Sequence, residues 1–424
     1  MKTLKLSALV IVFALASSVN AQYYPGANYP GGQQNPYTAQ AQYLMNPQSG
    51  IGGPGQVQLA SCDSGCCGGG FESCGSGGCG LLGGGGFGGG GFGNGGGAGF
   101  GGQQFGGQHG PNGTGSCCLP RWFDVQADWL FWDRDFGDSL AVSSDNRLGP
   151  TVLSTDDLEI KEESGFRVTG AYLVAPATAL EASYFGGFNW ASSAIVSSPT
   201  RQLFSVFSDF GSDPFTGFPQ TDFGASHGLA FSSSLDNGEV NLRHRWVSAN
   251  CVVHSSTMIG VRYLRLAEEL VYNTAAPNGS MNYVLQTDND LVGAQIGGDF
   301  AICVSPRFKI SGDVDAGVYG THSKQRTDAN FSSNNVGTVT QGSLAELESA
   351  SDVAFVGEAG LNGIFQITPR MNLRAGYQVL YVTGVATAVD NFNTESPFAA
   401  RSAFISNNGD VFYHGANVGF EFTW

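Results

Sequence analysis

The chain has 424 residues, of which only 13% are charged and 12% are aromatic, and its formal net charge is −16. This acidic excess argues against nucleic acid as a partner. No stretch offers the roughly eighteen consecutive apolar residues that a membrane-spanning helix needs, whereas low charge with abundant glycine and phenylalanine suits strands that face lipid on one side.

Residues 1–21 have the pattern of a secretory signal peptide. Lys2 and Lys5 form its positive start, residues 6–16 are an apolar core too short to span a bilayer, and Ala21 stands before the predicted cleavage site. No cysteine directly follows that site, so a lipoprotein anchor is not expected. An exported chain without a membrane helix is periplasmic, secreted or a β-barrel.

Residues 22–120 form a low-complexity segment, rich first in Tyr, Pro, Gln and Asn and then in glycine and cysteine. Such a composition cannot bury enough apolar surface to offset backbone entropy, so we expect a disordered arm in the periplasm. Its cysteines are candidates for disulfides to each other or to envelope partners. They are Cys62, Cys66, Cys67, Cys74, Cys79, Cys117 and Cys118. Their spacing fits no standard zinc site, so neither metal nor cofactor is expected.

From residue 121 onward, apolar and polar residues alternate in ten separate runs. Alternation of this kind places apolar side chains on one face of a strand and polar side chains on the other. In the first run, Phe123, Val125 and Ala127 oppose Asp124 and Gln126. The ten predicted strands cover residues 122–132, 165–174, 178–190, 239–252, 258–266, 290–304, 308–320, 353–367, 371–382 and 409–424.

The links between these strands are alternately long and short. The short links centre on Pro176, Ser255, Pro306 and Pro369. The long links cover residues 133–164, 191–237, 273–289, 321–352 and 383–408. This alternation of long and short links is typical of outer-membrane barrels, whereas nothing in the architecture of sandwiches and propellers requires it. We therefore predict an all-β fold, a transmembrane antiparallel up-and-down β-barrel of ten strands over residues 121–424, or of twelve if residues 203–210 form an extra hairpin.

The final strand ends in an aromatic residue, with hydrophobic residues at alternate positions behind it. Phe420, Phe422 and Trp424 resemble the C-terminal signal that the barrel assembly machinery reads in bacterial outer-membrane proteins. An ordinary sandwich strand that happens to be last is the alternative. The pattern predicts a location in the bacterial outer membrane, with membrane lipid and the assembly machinery as partners.

Four segments carry a family resemblance. They are Trp-Leu-Phe-Trp at residues 129–132, Gly-Val-Arg-Tyr-Leu at 260–264, Asn-Asp-Leu-Val-Gly-Ala-Gln-Ile-Gly at 289–297 and Phe-Glu-Phe-Thr-Trp at 420–424. Together they resemble the putative β-barrel porin-7 family over residues 122–424, with the arm left outside. The resemblance implies an outer-membrane β-barrel and supplies no functional residues to carry over.

Charged residues of both signs fall on the predicted inward face. These candidate lumen-facing residues are Asp124, Asp128, Arg167, Glu181, Arg243, Arg245, Arg262, Asp299, Lys309, Asp313, Asp315, Glu358 and Arg374. They can line a narrow pore or form ion pairs that fill the lumen, since barrels of about eight strands are filled and those of about 16 to 18 are open. Two functions stay open: a narrow porin for small solutes, and a non-conducting structural or adhesive envelope protein that anchors a cross-linkable arm and acidic surface loops.

No arrangement of catalytic residues is recognisable, so the chain is not expected to be an enzyme. His244 and His414 fall on the predicted lipid face, and His254 falls at a periplasmic turn. His227 and His322 are assigned to loops, where no Ser or Asp partner motif accompanies them.

Cys251 and Cys303 are the two cysteines of the predicted barrel, and both are further disulfide candidates. Both are expected near periplasmic strand ends with one strand between them. That separation is about 9 to 10 Å, which is beyond the reach of a disulfide. The hypothesis is therefore that either one captures a cysteine of the arm and draws the arm into the lumen.

Overall fold

The computed structural model describes residues 123–424 apart from 136, 138, 176, 214–215, 248–251, 336–337 and 424. The predicted signal peptide, the arm with its cysteines, Cys251 and Trp424 lie outside the described residues. Strands dominate the described chain, and only short 3-10 turns occur in its loops. In this part of the chain, no helix is long and apolar enough to cross a lipid bilayer.

The described residues form fourteen strands. In chain order they are β1 (Phe123–Asp135), β2 (Ala141–Asp145), β3 (Thr151–Ser154), β4 (Glu163–Ala175), β5 (Thr178–Gly186), β6 (Trp190–Ser197), β7 (Leu203–Ser205), β8 (Ser226–Val247), β9 (Val253–Ala276), β10 (Gly279–Ser305), β11 (Phe308–Asn335), β12 (Thr338–Thr368), β13 (Met371–Val385) and β14 (Gly409–Thr423).

Eleven of these strands form one sheet that closes into a barrel. The order around the ring is β1, β4, β5 with β6, β8, β9, β10, β11, β12, β13 and β14, and every neighbouring pair is antiparallel. The last strand returns to the first, with Asp124 opposite Thr423 and Asp135 opposite Phe412. Because β5 and β6 pair with successive parts of β8, they share one position. The predicted antiparallel barrel of ten strands is confirmed.

The strand that pairs with β8 is interrupted between β5 and β6, whereas the sequence predicts one continuous strand over residues 178–190. Gly187 has a φ of +86°, a left-handed conformation that glycine adopts without steric cost. The break turns the Phe188 ring inward, where it stacks between Trp132 and Trp190 with centroid distances of 5.1 and 4.8 Å. An unbroken strand would place Trp190 on the same face as Leu180 and Tyr184, which are exposed, whereas the break shifts the alternation by one residue and Trp190 is fully buried.

A band of exposed apolar side chains surrounds the barrel. On β9, Ile259 and Val261 are about 60% exposed, whereas Arg262 is buried; alternation therefore separates a lipid face from a lumen face. On β10 the band runs from Val292 to Val304. Those residues cover about 40 Å of strand, or roughly 28 Å of height at the usual tilt, which matches the hydrocarbon core of a bilayer.

The prediction of long loops over residues 273–289 and 321–352 is wrong. β9 and β10 continue to a two-residue turn after Ala276, while β11 continues to Asn335 and β12 begins at Thr338. These extensions lie beyond the lipid band, so their outer faces are polar and the alternation of a membrane strand is lost. We call β6 together with the parts of β8 to β12 beyond the band the projecting sheet. Along β10 it extends about 40 Å past the band.

The alternative of twelve barrel strands is wrong. Leu203–Ser205 pairs with β2 in a separate sheet of order β3, β2, β7, because these short strands fold back over the barrel mouth and do not join its wall. Residues 386–408, here named the cap segment, form an irregular loop between β13 and β14, as predicted for this region. A second apolar core lies inside the projecting sheet and includes Phe207, Tyr272, Tyr283, Phe392 and Phe398.

We expect Gly187→Ala to lower the free energy of unfolding by about 1–2 kcal/mol, because alanine is strained at a positive φ. Urea unfolding of the refolded protein in detergent micelles, followed by tryptophan fluorescence, measures the change. Gly238→Ala is the matched control, since no atom lies within 4 Å of a Cβ placed there. Equal stability of the Gly187 variant and the wild type would contradict a rigid kink.

Candidate functional site

The lumen at the level of the lipid band is crossed by one carboxylate that bridges two guanidinium groups. Glu358 on β12 accepts hydrogen bonds from Arg167 on β4 (2.5 Å) and from Arg262 on β9 (2.8 Å). Three strands separate β12 from β4 on one side of the ring, and two separate it from β9 on the other. The side chains of Arg262 and Glu358 are 2% and 3% exposed. A single residue therefore connects three sides of the barrel interior.

Further polar contacts extend this network toward the short turns. Arg243 on β8 donates two hydrogen bonds to Glu181 on β5, at 2.9 and 3.0 Å, and also binds Asp299 on β10. Arg245 lies 3.5 Å from Asp124 on β1. Because these partners are on different strands, the network ties the wall together across the lumen.

The remaining predicted lumen residues fill the spaces between these bridges. Asp128 lies opposite Arg167, Asp313 accepts a hydrogen bond from Asn362 at 3.2 Å, and Arg374 donates to Gln126 at 2.6 Å. Asp315 lies opposite Glu358 on the next strand, and Asp299 lies opposite Asp313. Lys309 lies opposite Cys303 at the short-turn end. Opposed carboxylates repel one another, so the arginines are needed to hold these strands in register.

Sequence reasoning missed several charged residues of the interior, among them Glu239, Arg134 and Glu268. Glu239 accepts a hydrogen bond from Arg262 at 3.0 Å and another from Gln295 at 2.6 Å. It shares the face of Arg243, so the alternation of β8 could have revealed it. Arg134 and Glu268 form a buried ion pair, and both lie just beyond the predicted strand ends.

An apolar layer lies above the ionic network and fills the lumen. Its aromatic part is the stack of Trp132, Phe188 and Trp190, and the Trp190 indole donates to the Trp132 carbonyl at 3.0 Å. Leucines and valines from the other strands complete the layer, among them Leu130, Leu235, Leu264, Leu266, Leu291, Val356, Leu380 and Val382, each with no measurable exposure. Polar solutes cannot pass such a layer without displacing it.

The cap segment enters the barrel above this layer and is fixed by buried polar side chains. Glu268 binds Arg134 with one carboxylate oxygen and accepts the Ala388 N–H with the other, at 2.8 Å. Asn289 on β10 makes paired hydrogen bonds of 2.8 Å with the N–H and C=O of Ala386. The strand extensions thus supply specific partners for the backbone of the cap segment.

The outer half of the cap segment is held by a second buried ion pair. Arg401 forms two hydrogen bonds with Glu346 on β12, at 2.8 and 3.0 Å. Its guanidinium lies 4.7 Å from the centre of the Phe398 ring. The Phe398 N–H donates to the Thr216 carbonyl at 2.8 Å, so the cap segment is also joined to the loop before β8.

His227 lies at the centre of a buried cluster and not in a loop, so that expectation is wrong. It belongs to β8, where the Ser143 hydroxyl donates to Nδ1 at 2.5 Å and Nε2 donates to the Thr221 carbonyl at 3.2 Å. Tyr272 completes the cluster, 3.1 Å from Nδ1. Ser143 could not be found as its partner from the sequence, because the small sheet that brings in Ser143 has no sequence signal. Burial lowers the pKa of His227 to about 4.

Cys303 takes part in a disulfide. Its N–H donates to the Val252 carbonyl at 2.9 Å. β8 ends at Val247 and β9 begins at Val253, so β9 starts before the predicted turn at Ser255. The argument that a strand separates the two barrel cysteines assumed that β8 continues through Val252, and it is wrong on that point. Cys251 itself lies outside the described residues.

We expect Glu358→Gln to lower the free energy of unfolding by about 3–5 kcal/mol, because two buried guanidinium groups lose their shared counter-charge. Urea unfolding in micelles measures the loss. Asp352→Asn, at an exposed position, is the control and should stay within about 0.5 kcal/mol of the wild type. An equally small effect at Glu358 would show that the bridge does not hold the barrel closed.

We expect acid to loosen the cluster around His227. The imidazole of His227 is neutral in the folded cluster and protonates near pH 6.5 when the cluster is open. The free energy that keeps the cluster closed is therefore unchanged above about pH 6.5 and falls as the pH drops from about 6.5 to 4. Below about pH 4 it stays constant, after a total loss of about 3 kcal/mol. Hydrogen exchange of residues 198–225, corrected for intrinsic rates, measures the opening. His227→Gln keeps a donor and an acceptor without titrating and separates this effect from nearby Asp222. Exchange that does not change between pH 7 and about 4.5 would contradict the expectation.

Comparison with known proteins places this architecture in a family. The model of the putative beta barrel porin-7 family matches residues 145–424. Similar solved structures include the outer membrane protease OmpT from Escherichia coli (10% identity, TM-score 0.39, 72% of this chain and 97% of that chain). They also include a major outer membrane protein from Thermus thermophilus (10%, 0.29, 72% and 100%) and the translocator domain of autotransporter NalP from Neisseria meningitidis (11%, 0.28, 74% and 90%). No curated protein matches the chain. Since the family match spans well over half of its length, the chain belongs to the putative beta barrel porin-7 family.

Proposed function

We propose that this outer-membrane β-barrel is closed to diffusion and acts as a structural anchor that holds its projecting sheet above the membrane. The observation that carries this proposal is the bridge from Glu358 to Arg167 and Arg262, which crosses the lumen beneath a continuous apolar layer. A diffusion pore needs a connected aqueous path, and this interior has side chains in its place.

The energetics of the interior support closure. Opening a path would separate buried charges from their partners, which costs several kcal/mol for each pair broken. It would also expose Trp132, Trp190 and the leucines packed around them to water. Ten strands enclose only a little more space than the eight that side chains fill completely, so filling the lumen requires no added domain.

The anchor role assigns a purpose to the large ordered structure beyond the lipid band. Outer-membrane barrels have their long loops outside the cell, so the projecting sheet, the small sheet of β2, β3 and β7, and the cap segment are extracellular in this proposal. The amino-terminal arm is then periplasmic, and its cysteines serve to cross-link the barrel to envelope partners. The terminal aromatic residues serve the assembly machinery.

A narrow porin for small solutes is the second candidate, and one observation favours it. The lower lumen contains many polar side chains, and buried groups such as Gln378 Oε1 and Asn237 Nδ2 have no hydrogen-bond partner among the described residues. Conduction in that case would require the apolar layer and the cap segment to move together.

We also propose that the chain is not an enzyme. A buried serine–histidine contact joins Ser143 to His227, and it uses both ring nitrogens of the histidine for internal hydrogen bonds. Both residues are fully buried, so a substrate carbonyl could not approach the hydroxyl.

We expect the refolded full-length protein to give no discrete current steps in a planar bilayer, because the filled lumen blocks ions. Heat-modifiable gel migration confirms folding before any current is interpreted. A chain of residues 121–424 is the matched control. If both proteins are silent, the barrel is closed by its own side chains. Steps from both would support the porin, and steps from the shorter chain alone would make the arm the plug; either result would contradict the proposal.

A further inference from the structure

The projecting sheet has an uncovered edge along β12. β13 pairs with β12 only from Phe355 onward, whereas β11 pairs with β12 up to Thr338. Among the described residues, no backbone hydrogen bond reaches the other side of β12 over residues 341–352. This part of the edge is about 40 Å long and contains no proline.

The direction of the free backbone groups follows from Val353. Its N–H donates to its neighbour Asp352 at 2.8 Å and not to β11, and its carbonyl lies against Gly384 on the β13 side. The N–H and C=O of one residue point to the same edge of a strand, and successive residues alternate between the two edges. The backbone groups at every second position before Val353 therefore also point to the open edge. They are Ser343, Ala345, Leu347, Ser349 and Ser351.

The side chains along this edge define what could bind there. Leu347 and Val353 are 72% and 66% exposed on the outer face, and no outward position between them carries a charge. On the inner face, Glu348 and Asp352 are exposed and lie four residues apart, on the same side of the strand. The edge therefore offers backbone donors and acceptors, an uncharged outer row with the exposed apolar side chains of Leu347 and Val353, and two exposed carboxylates on the inner face.

We propose that the β12 edge binds an extended polypeptide segment in which basic and apolar residues alternate. Such a segment adds to the sheet as a further strand and forms main-chain hydrogen bonds with the alternate residues of β12. Its Lys or Arg side chains face Glu348 and Asp352, and its apolar side chains cover Leu347 and Val353. The basic partner follows from charge complementarity, and the proposal does not depend on whether the lumen conducts.

Fluorescence anisotropy of the refolded full-length protein in micelles tests the proposal. The probe is a labelled synthetic peptide of about twelve alternating Lys and Val residues, which matches the length of the open edge. The control peptide has the same composition with the lysines and valines in two blocks. We expect saturable binding of the alternating peptide and binding of the block peptide at least about tenfold weaker. Equal affinity for the alternating and the block peptide would show that the protein attracts them by charge alone, and it would overturn the proposal.

Substitutions at one position separate the backbone from the side chain. Leu347→Pro removes an edge N–H without touching the β11 ladder, a placement that an edge strand tolerates, and should weaken binding about tenfold. Leu347→Ala retains the N–H and should stay within about threefold of the wild type. Gel mobility verifies folding; if the proline variant fails to fold, Ser349→Pro repeats the test at a second edge position. Wild-type affinity in a folded proline variant would overturn the proposal.

Charge and self-association provide two further outcomes. Glu348→Gln combined with Asp352→Asn should weaken peptide binding and remove its dependence on salt, because the acidic row supplies the electrostatic attraction. Unchanged salt dependence would overturn the assigned partner. Sedimentation of the peptide-free protein tests self-association. A wild-type dimer that Leu347→Pro abolishes would overturn the assigned basic partner, since the edge would then bind a second copy of this chain.

Discussion

The barrel depends on the neutralisation of carboxylates that oppose one another inside it. Asp315 lies opposite Glu358, and Asp299 lies opposite Asp313, on adjacent strands of the same wall. Like charges at such positions push strands apart, and the low dielectric of the interior strengthens the repulsion. Arginines reach across from other strands and supply the counter-charge. Register, closure of the lumen and the connection between opposite walls therefore share one cause.

The layers above the ionic network follow from the same ordering along each strand. A strand passes from charged inward residues near the short turns to apolar inward residues and then to partners for the cap segment. β9 shows the sequence clearly, with Arg262, then Leu264 and Leu266, then Glu268, all on its inward face. At the level of the cap segment, Glu268 is paired with Arg134 and Glu346 with Arg401, so the cap segment closes the mouth without leaving these two carboxylates unpaired.

The alternation of residues allowed the ring of ten strands to be predicted, because lipid on one side and the lumen on the other enforce it. Beyond the band this constraint ends, so the sequence predicts loops where β11 and β12 in fact extend as strands. A signal existed for β9 and β10, since Pro277, Asn278 and Gly279 form a turn signature between two runs with apolar residues at alternate positions. Inward charges could be assigned by parity, but their pairings could not, because Arg167 and Glu358 are 191 residues apart.

The uneven strand lengths explain why an open edge exists at all. β1, β4, β13 and β14 end near the rim, whereas β8 to β12 continue well past it. A ring that is closed within the membrane must therefore become an open sheet above it, with edges at β6 and β12. The cap segment packs against part of the inner face of this sheet, and among the described residues it forms no backbone ladder with β12 over residues 341–352. Acidic side chains such as Glu348 discourage pairing with another acidic strand, so the feature that protects the edge also selects the charge of a partner that could bind there.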